Sequence, residues 1–252
     1  MLKRGIQHRL SKENIKKLES IDLMFLRKLF RTPTSTPKPA LYLETGCIPI
    51  RYLIKGKRIM YLHHILTREE NALIKQVFRA QEGYPGKGDW CQVVREDLDS
   101  LGLVDKSFDE IALKSKESLR TLVTEKMYEV ALENLREESL KLSKLATTSY
   151  SKLEMQSYLT GDKLSTRLKQ LAFRWRTKMI KVGWNYGKKE SCPICLQADD
   201  TQNHLLECTY LNDANTMTDC DLNRNNYNLT QHMKRLEVAI RKRDIILEER
   251  KK

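Results

Sequence analysis

Four residues of metal-ligand type limit how the last quarter of the chain can fold. Cys192 and Cys195 are separated by two residues, His204 follows after eight more, and Cys208 after another three. Two cysteines at this spacing can share one ion, and His204 and Cys208 lie on one face of a short helix. Three sulfur ligands and one imidazole suit tetrahedral zinc. The sequence therefore predicts a structural zinc site, because protein side chains fill all four coordination positions.

The other cysteines and histidines give no comparable signal. Cys47, Cys91 and Cys220 have no partner at ligand spacing, so we expect buried small hydrophobic residues. His63 and His64 lie in an apolar helical context, where we expect a packed or partly exposed pair rather than a pair of metal ligands. Six cysteines scattered over 252 residues do not resemble a disulfide framework. The sequence therefore favours a reducing intracellular compartment, the nucleus or the cytoplasm.

Helical periodicity dominates the rest of the chain, and no run of alternating residues predicts a strand. Ser11 is the predicted N-cap of a helix through about Phe30, and Asp89 caps a short helix that closes near Gly102. Further helices are expected over about 49–67, 69–81, 115–143, 163–182 and 233–252. The predicted fold is all-α: a helical bundle followed by a small CCHC zinc knuckle and a C-terminal helix. We expect two regions, 1–160 and 161–252.

The charge of the chain is concentrated in two blocks. The formal net charge is +13, with +11 in residues 1–80 and +7 in residues 161–190. Concentrated positive charge is typical of proteins that bind a polyanion. The alternative is that these blocks are solvated helix faces.

The second block precedes the cysteines and shows two stripes at helical spacing. The apolar stripe is expected to face a core and comprises Leu164, Leu168, Leu171, Ala172, Trp175, Met179 and Val182. Basic side chains beside it could meet phosphates, and an exposed aromatic could stack on unpaired bases. The candidate nucleic-acid-binding residues are Lys163, Arg167, Arg174, Arg176, Lys178, Lys181 and Trp184. The alternative is a solvated basic face with buried aromatics.

Motifs of several enzyme and membrane classes are missing. The sequence has no Gly-rich phosphate loop, no nucleophile elbow and no His-Glu-x-x-His. The pair Asp199-Asp200 lies between the metal ligands, where we expect a solvated turn. No apolar run approaches the roughly 18 residues of a membrane span, and the N-terminus has no signal-peptide core. We therefore expect neither catalysis nor membrane association.

Three stretches in order resemble one family. The first is Met24-Phe-Leu-Arg-Lys-Leu-Phe-Arg-Thr-Pro-Thr-Ser-Thr-Pro37, continuing through 40–46 and 50–54 to Leu62-His-His-Ile-Leu66. The second is Gly86-Lys-Gly-Asp-Trp-Cys91 with the acidic helix after it. The third is Phe173-Arg-Trp-Arg-Thr-Lys-Met179, leading into Cys192-Pro-Ile-Cys195 and Asp200-Thr-Gln-Asn-His-Leu-Leu-Glu-Cys208. Together they resemble the C-terminal portion of reverse transcriptases from non-LTR (LINE-like) retrotransposons.

The resemblance implies a helical thumb and linker followed by a knuckle that helps to hold template RNA or target DNA. It carries Cys192, Cys195, His204 and Cys208 over as zinc ligands. It carries over no polymerase site, because the chain begins after the catalytic aspartates, so no enzymatic activity is expected. The implied partners are nucleic acid and the upstream polymerase portion of the same element. The alternative is a zinc-stapled helical protein-interaction module without nucleic-acid binding.

Overall fold

The computed structural model describes residues 12–84, 86, 89–103, 107–142, 150–211 and 226–251. Helices form the regular structure of these residues, which confirms the all-α prediction, and their one β-type pairing is an isolated bridge between Ser191 and Asp199. The helices are α1 (Lys12–Phe30), α2 (Lys38–Thr45), α3 (Ile50–Leu66), α4 (Leu73–Gly83), α5 (Trp90–Ser100), α6 (Phe108–Leu113), α7 (Lys116–Leu140), α8 (Ser157–Thr160), α9 (Thr166–Arg176), α10 (His204–Glu207) and α11 (Asn226–Glu249). A 3₁₀ turn covers Trp184–Tyr186.

The predicted helices form close to their expected positions. Asp89 caps α5, since its carboxylate accepts the backbone N–H of Gln92 at 2.8 Å. The C-terminal helix begins at Asn226, earlier than predicted. Ser11 and Cys220 lie outside the described residues. In the described part of the chain, no helix combines the length and the apolar content that a membrane crossing requires.

The chain divides into two compact units, each built from separated segments. The first unit takes the described parts of residues 1–24, 46–139 and 149–154, and the second takes those of 25–45, 140–148 and 155–252. The division into regions 1–160 and 161–252 stays a prediction.

The first unit is organised around α3, against which α4, α5 and α6 pack. Ile59, Leu62 and Ile65 lie on its buried face, as the apolar spacing requires. His63 is also buried, and its Nε2 lies 2.9 Å from the carbonyl oxygen of Lys114. This confirms that His63 packs against the fold.

The second unit contains α2 and α8 to α11 and is the unit that carries the predicted metal ligands. Its core includes Leu41 and Tyr42 of α2, both fully buried, together with the rings of Phe30 and Phe173, whose centroids are 4.1 Å apart. Helix α9 packs against α8 and α11, and α10 packs against α11. The knuckle, defined here as residues 192–208, is thus held by the C-terminal helix.

The predicted basic helix is shorter than expected, because α9 ends at Arg176. Lys178 adopts a left-handed backbone conformation with φ of 56°. Its N–H donates to the carbonyl oxygen of Trp175 at 3.2 Å, and the N–H of Met179 donates to that of Arg174 at 2.7 Å. These two bonds form a Schellman motif, which ends a helix and favours glycine at the left-handed position. Side-chain periodicity does not reveal such an ending, since Met179 beyond it is buried as well.

Lys178→Gly is expected to stabilise the chain by about 0.5–1 kcal/mol, because glycine adopts the left-handed conformation without steric cost. Urea denaturation of the metal-loaded chain measures the change in unfolding free energy. Lys169→Gly is the matched control: it lies inside α9 and should cost about 1 kcal/mol. Loss of stability in Lys178→Gly would contradict the assignment of strain to this turn.

Candidate metal centre and adjacent basic groove

The four predicted ligand residues lie together in space. The sulfur atoms of Cys192, Cys195 and Cys208 and a ring nitrogen of His204 are all within 4.8 Å of one another. The Cys195 Sγ and His204 Nε2 atoms are 3.2 Å apart. Neighbouring sulfurs in a tetrahedral site with Zn–S bonds of about 2.3 Å are ~3.8 Å apart. The structure therefore gathers these side chains at separations that one metal ion can bridge.

The first two cysteines lie on a tight turn. The N–H of Leu196 donates to the carbonyl oxygen of Cys192 at 2.9 Å, and the N–H of Cys192 donates to that of Ala198 at 2.6 Å. The backbone N–H of Gln197 points at the Cys195 sulfur, 3.5 Å away. This amide is the main cause that lowers the pKa of Cys195 to about 6. The turn therefore favours the thiolate, which is the form that binds a metal.

The second pair is presented by α10, as the spacing predicted. The N–H of His204 donates to the Thr201 hydroxyl at 3.1 Å, which fixes the start of this helix. Cys208 follows its last residue and is buried. Burial raises the pKa of Cys208 to about 11. A cation bonded to its sulfur would supply the charge that a buried thiolate needs, so the chemistry of this donor set fits a metal ion.

Asp200 is not the solvated turn residue that the sequence suggested, because its side chain is buried. Its Oδ1 and Oδ2 accept hydrogen bonds from Nη1 and Nη2 of Arg243 at 2.7 and 2.8 Å. Its Oδ2 also accepts the backbone N–H of Gly183 at 2.5 Å. Asp200 therefore joins the knuckle to α11 and to the segment after α9.

Two further contacts tie the knuckle to its surroundings. Arg250, just beyond α11, donates hydrogen bonds to the carbonyl oxygens of Pro193 and Ile194, the two residues between the first two cysteines. Gln202 is buried and donates to the carbonyl oxygen of Trp175 in α9 at 3.2 Å. The metal ligands are thus embedded in the second unit rather than carried on a separate flexible loop.

Two of the predicted nucleic-acid-binding residues have their charge compensated within the protein. Arg176 donates from Nε to both carboxylate oxygens of the fully buried Glu44, at 3.0 Å each. Its guanidinium also lies over the ring of Tyr158, 5.5 Å from the centroid. Arg167 forms an ion pair with Glu237 of α11. These contacts give both arginines a structural role in the second unit.

The other predicted residues form no ion pair with a described acidic side chain and differ in exposure. Lys163 and Lys181 are exposed, and Trp184 keeps 45% of its surface exposed. Lys178 is half-buried, and burial lowers the pKa of its ammonium group. Arg174 is half-buried too.

A groove of about 570 Å³ brings Arg174 and Lys181 together with Arg31 and Tyr186. Ser191 and Pro193 of the turn region also line it, so the groove borders the metal centre. In the part of the chain that the structure describes, Arg31, Arg174 and Lys181 form no ion pair with an acidic side chain. The lining holds five basic and three acidic side chains, so the groove carries a net charge of +2.

Sequence reasoning missed Arg31, Asp200 and Arg243 as parts of this region. Arg31 follows α1, over a hundred residues before Arg174, and Asp200 and Arg243 meet only because α11 packs beside the knuckle. No local spacing could have indicated either pairing.

Comparison with family models, curated proteins and solved structures finds no match to this chain. The resemblance to non-LTR reverse transcriptases therefore stays a prediction.

Proposed function

We propose that the second unit binds nucleic acid, RNA or DNA, and that its four-ligand centre holds a structural zinc ion. The observation that carries this proposal is the positively charged groove beside the metal centre, in which Arg31, Arg174 and Lys181 form no ion pair with a described acidic side chain. Arginine and lysine that lack acidic partners contact phosphates at little cost, because no internal ion pair must break. The resemblance to the C-terminal portion of non-LTR reverse transcriptases supports the same function.

The proposed role is binding rather than catalysis. Three cysteines and one histidine leave a tetrahedral zinc ion no open position for a reacting water, so the ion would serve to hold the fold. Thiolate ligands also require reduced cysteines, which agrees with a nuclear or cytoplasmic location. The upstream polymerase portion of the same element is the proposed protein partner.

The test measures binding of the zinc-loaded full chain to a structured RNA and to a duplex DNA. We expect a submicromolar dissociation constant. The logarithm of the affinity should fall linearly with the logarithm of the salt concentration between about 50 and 200 mM, because phosphate contacts release counterions. Replacing Arg174 by Gln and Lys181 by Ala should weaken binding and lower the salt slope by about one for each lost phosphate contact.

The matched control is Arg120→Ala, which removes an exposed arginine from α7 of the first unit. Its affinity and salt slope should equal those of the unaltered chain. If neither nucleic acid binds, or if binding ignores salt, the chain is better explained as a protein-interaction module.

A further inference from the structure

Arg31 and Arg174 form a like-charge pair built from distant parts of the chain. Both line the same groove, and the positive charge of Arg31 is the second cause, after burial, that lowers the pKa of Arg174. Like charges that line one groove repel each other, whereas an anion bound there would attract both of them. The pair therefore has the charge arrangement of an anion site.

Arg31 lies in a hydrogen-bonded turn at the end of α1. Its φ is 51°, a left-handed conformation that arginine rarely adopts. The N–H of Arg31 donates to the carbonyl oxygen of Lys28 at 3.2 Å, and the N–H of Thr32 to that of Arg27 at 3.0 Å. Arg27 in turn donates from its side chain to the carbonyl oxygen of Thr36 at 3.0 Å. The guanidinium of Arg31 thus projects from a fixed turn rather than from a loose loop.

The acidic residues of the groove lining do not cancel its positive charge. Asp200 is paired with Arg243, and Glu190 lies 3.8 Å from the ammonium group of Lys188. Asp244 is the third acidic residue of the lining. Asp244 keeps its charge, and the five basic and three acidic side chains of the lining leave a net charge of +2 to attract a phosphate.

Aromatic side chains beside the cations indicate which nucleic acid fits. Tyr186 lines the groove and keeps 46% of its surface exposed, and Trp184 stands exposed in the same 3₁₀ turn. Exposed rings next to cations stack on bases that are unpaired, whereas a duplex keeps its bases stacked on each other. A volume of about 570 Å³ also lies in the range of sites that hold small ligands.

We infer that this groove binds one nucleotide of a single-stranded nucleic acid, its phosphate held by Arg31, Arg174 and Lys181 and its base stacked on Tyr186. The inference rests on the proposed nucleic-acid function and narrows it from RNA or DNA of any form to a single strand.

The experiment compares a 12-nucleotide single strand with a 12-base-pair duplex, using the zinc-loaded full chain at one salt concentration. We expect the single strand to bind at least tenfold more tightly. Arg31→Asn and Arg174→Gln should each weaken single-strand binding about tenfold and reduce the salt slope by about 0.7. Asparagine is chosen because it tolerates the left-handed backbone while removing the charge. Tyr186→Ala should weaken single-strand binding about tenfold, and Tyr186→Phe should keep the affinity of the unaltered chain.

Arg120→Ala again serves as the charge-matched control and should bind as the unaltered chain does. The inference is overturned if the chain binds nucleic acid but prefers the duplex, or if Arg31→Asn and Arg174→Gln change thermal stability without changing affinity. The latter result would mean that these arginines stabilise the carboxyl ends of α1 and α9 and do not contact the nucleic acid. If the unaltered chain binds neither probe, the proposed function itself fails.

Discussion

Cys195→Ser is expected to reduce bound metal from about one ion per chain to nearly none. Serine leaves three ligands around the ion, and a hydroxyl is a poor substitute for the thiolate that the Gln197 amide favours in this turn. Structural zinc contributes about 10–16 kcal/mol of apparent binding free energy in zinc-finger peptides, so loss of one ligand removes a large part of the stability of the site. Metal content by mass spectrometry measures the effect directly.

The consequence should extend beyond the knuckle to the C-terminal helix. Arg250 donates to the carbonyl oxygens of Pro193 and Ile194, and these contacts require the first turn of the knuckle to keep its shape. Without metal, we expect backbone amides near the buried Leu236 and Ala239 of α11 to exchange hydrogen faster. Hydrogen exchange of the metal-loaded and chelator-treated chains provides the comparison.

Cys47→Ser is the control, because Cys47 lies outside the ligand cluster and is half-buried rather than buried as predicted. It should retain full metal content and leave exchange in α11 unchanged. Metal binding in Cys195→Ser with unaltered stoichiometry would refute the assignment of Cys195 as a ligand. Unchanged exchange in α11 after chelation would show that the helix docks independently of the metal.

The sequence predicts features that depend on near neighbours. The ligands Cys192, Cys195, His204 and Cys208 lie within 17 residues, so their spacing alone indicates a shared ion. The helices could be predicted for the same reason, because an apolar stripe and a cap such as Asp89 are local signals.

Features that depend on tertiary packing could not be predicted in this way. Arg176 is a basic residue of the helix that was predicted to bind phosphate. Its guanidinium is instead paired with Glu44, which is distant in sequence. Arg31 was not a candidate, because nothing near it in sequence indicates that the end of α1 lies beside Arg174. Asp200 is a polar residue in a loop, a pattern typical of solvated turns. In the folded chain it is nevertheless buried and paired with Arg243 of α11. Long-range partners therefore decide which charged residues of this chain are structural and which remain open to a ligand.

The ion pair between Asp200 and Arg243 should have one of the largest effects on stability. Its side chains are 5% and 9% exposed, and two hydrogen bonds join them. Removing one member of a buried pair leaves the other charge uncompensated, which typically costs 3–5 kcal/mol. We expect Arg243→Met to destabilise the second unit by about 3 kcal/mol. Asp200→Ala should cost at least as much, because it also leaves the N–H of Gly183 without its acceptor.

Urea denaturation of the metal-loaded variants measures these costs, and a double-mutant cycle isolates the pair. The double variant should lose less free energy than the sum of the two single variants, because neither remaining side chain is then a lone buried charge. Arg241→Ala is the matched control on the same helix: Arg241 is exposed, and its pair with Glu237 at 3.3 Å should contribute less than about 1 kcal/mol. Strictly additive single-variant costs, or a loss in Arg243→Met no larger than in Arg241→Ala, would show that α11 is held to the knuckle by apolar packing and not by this ion pair.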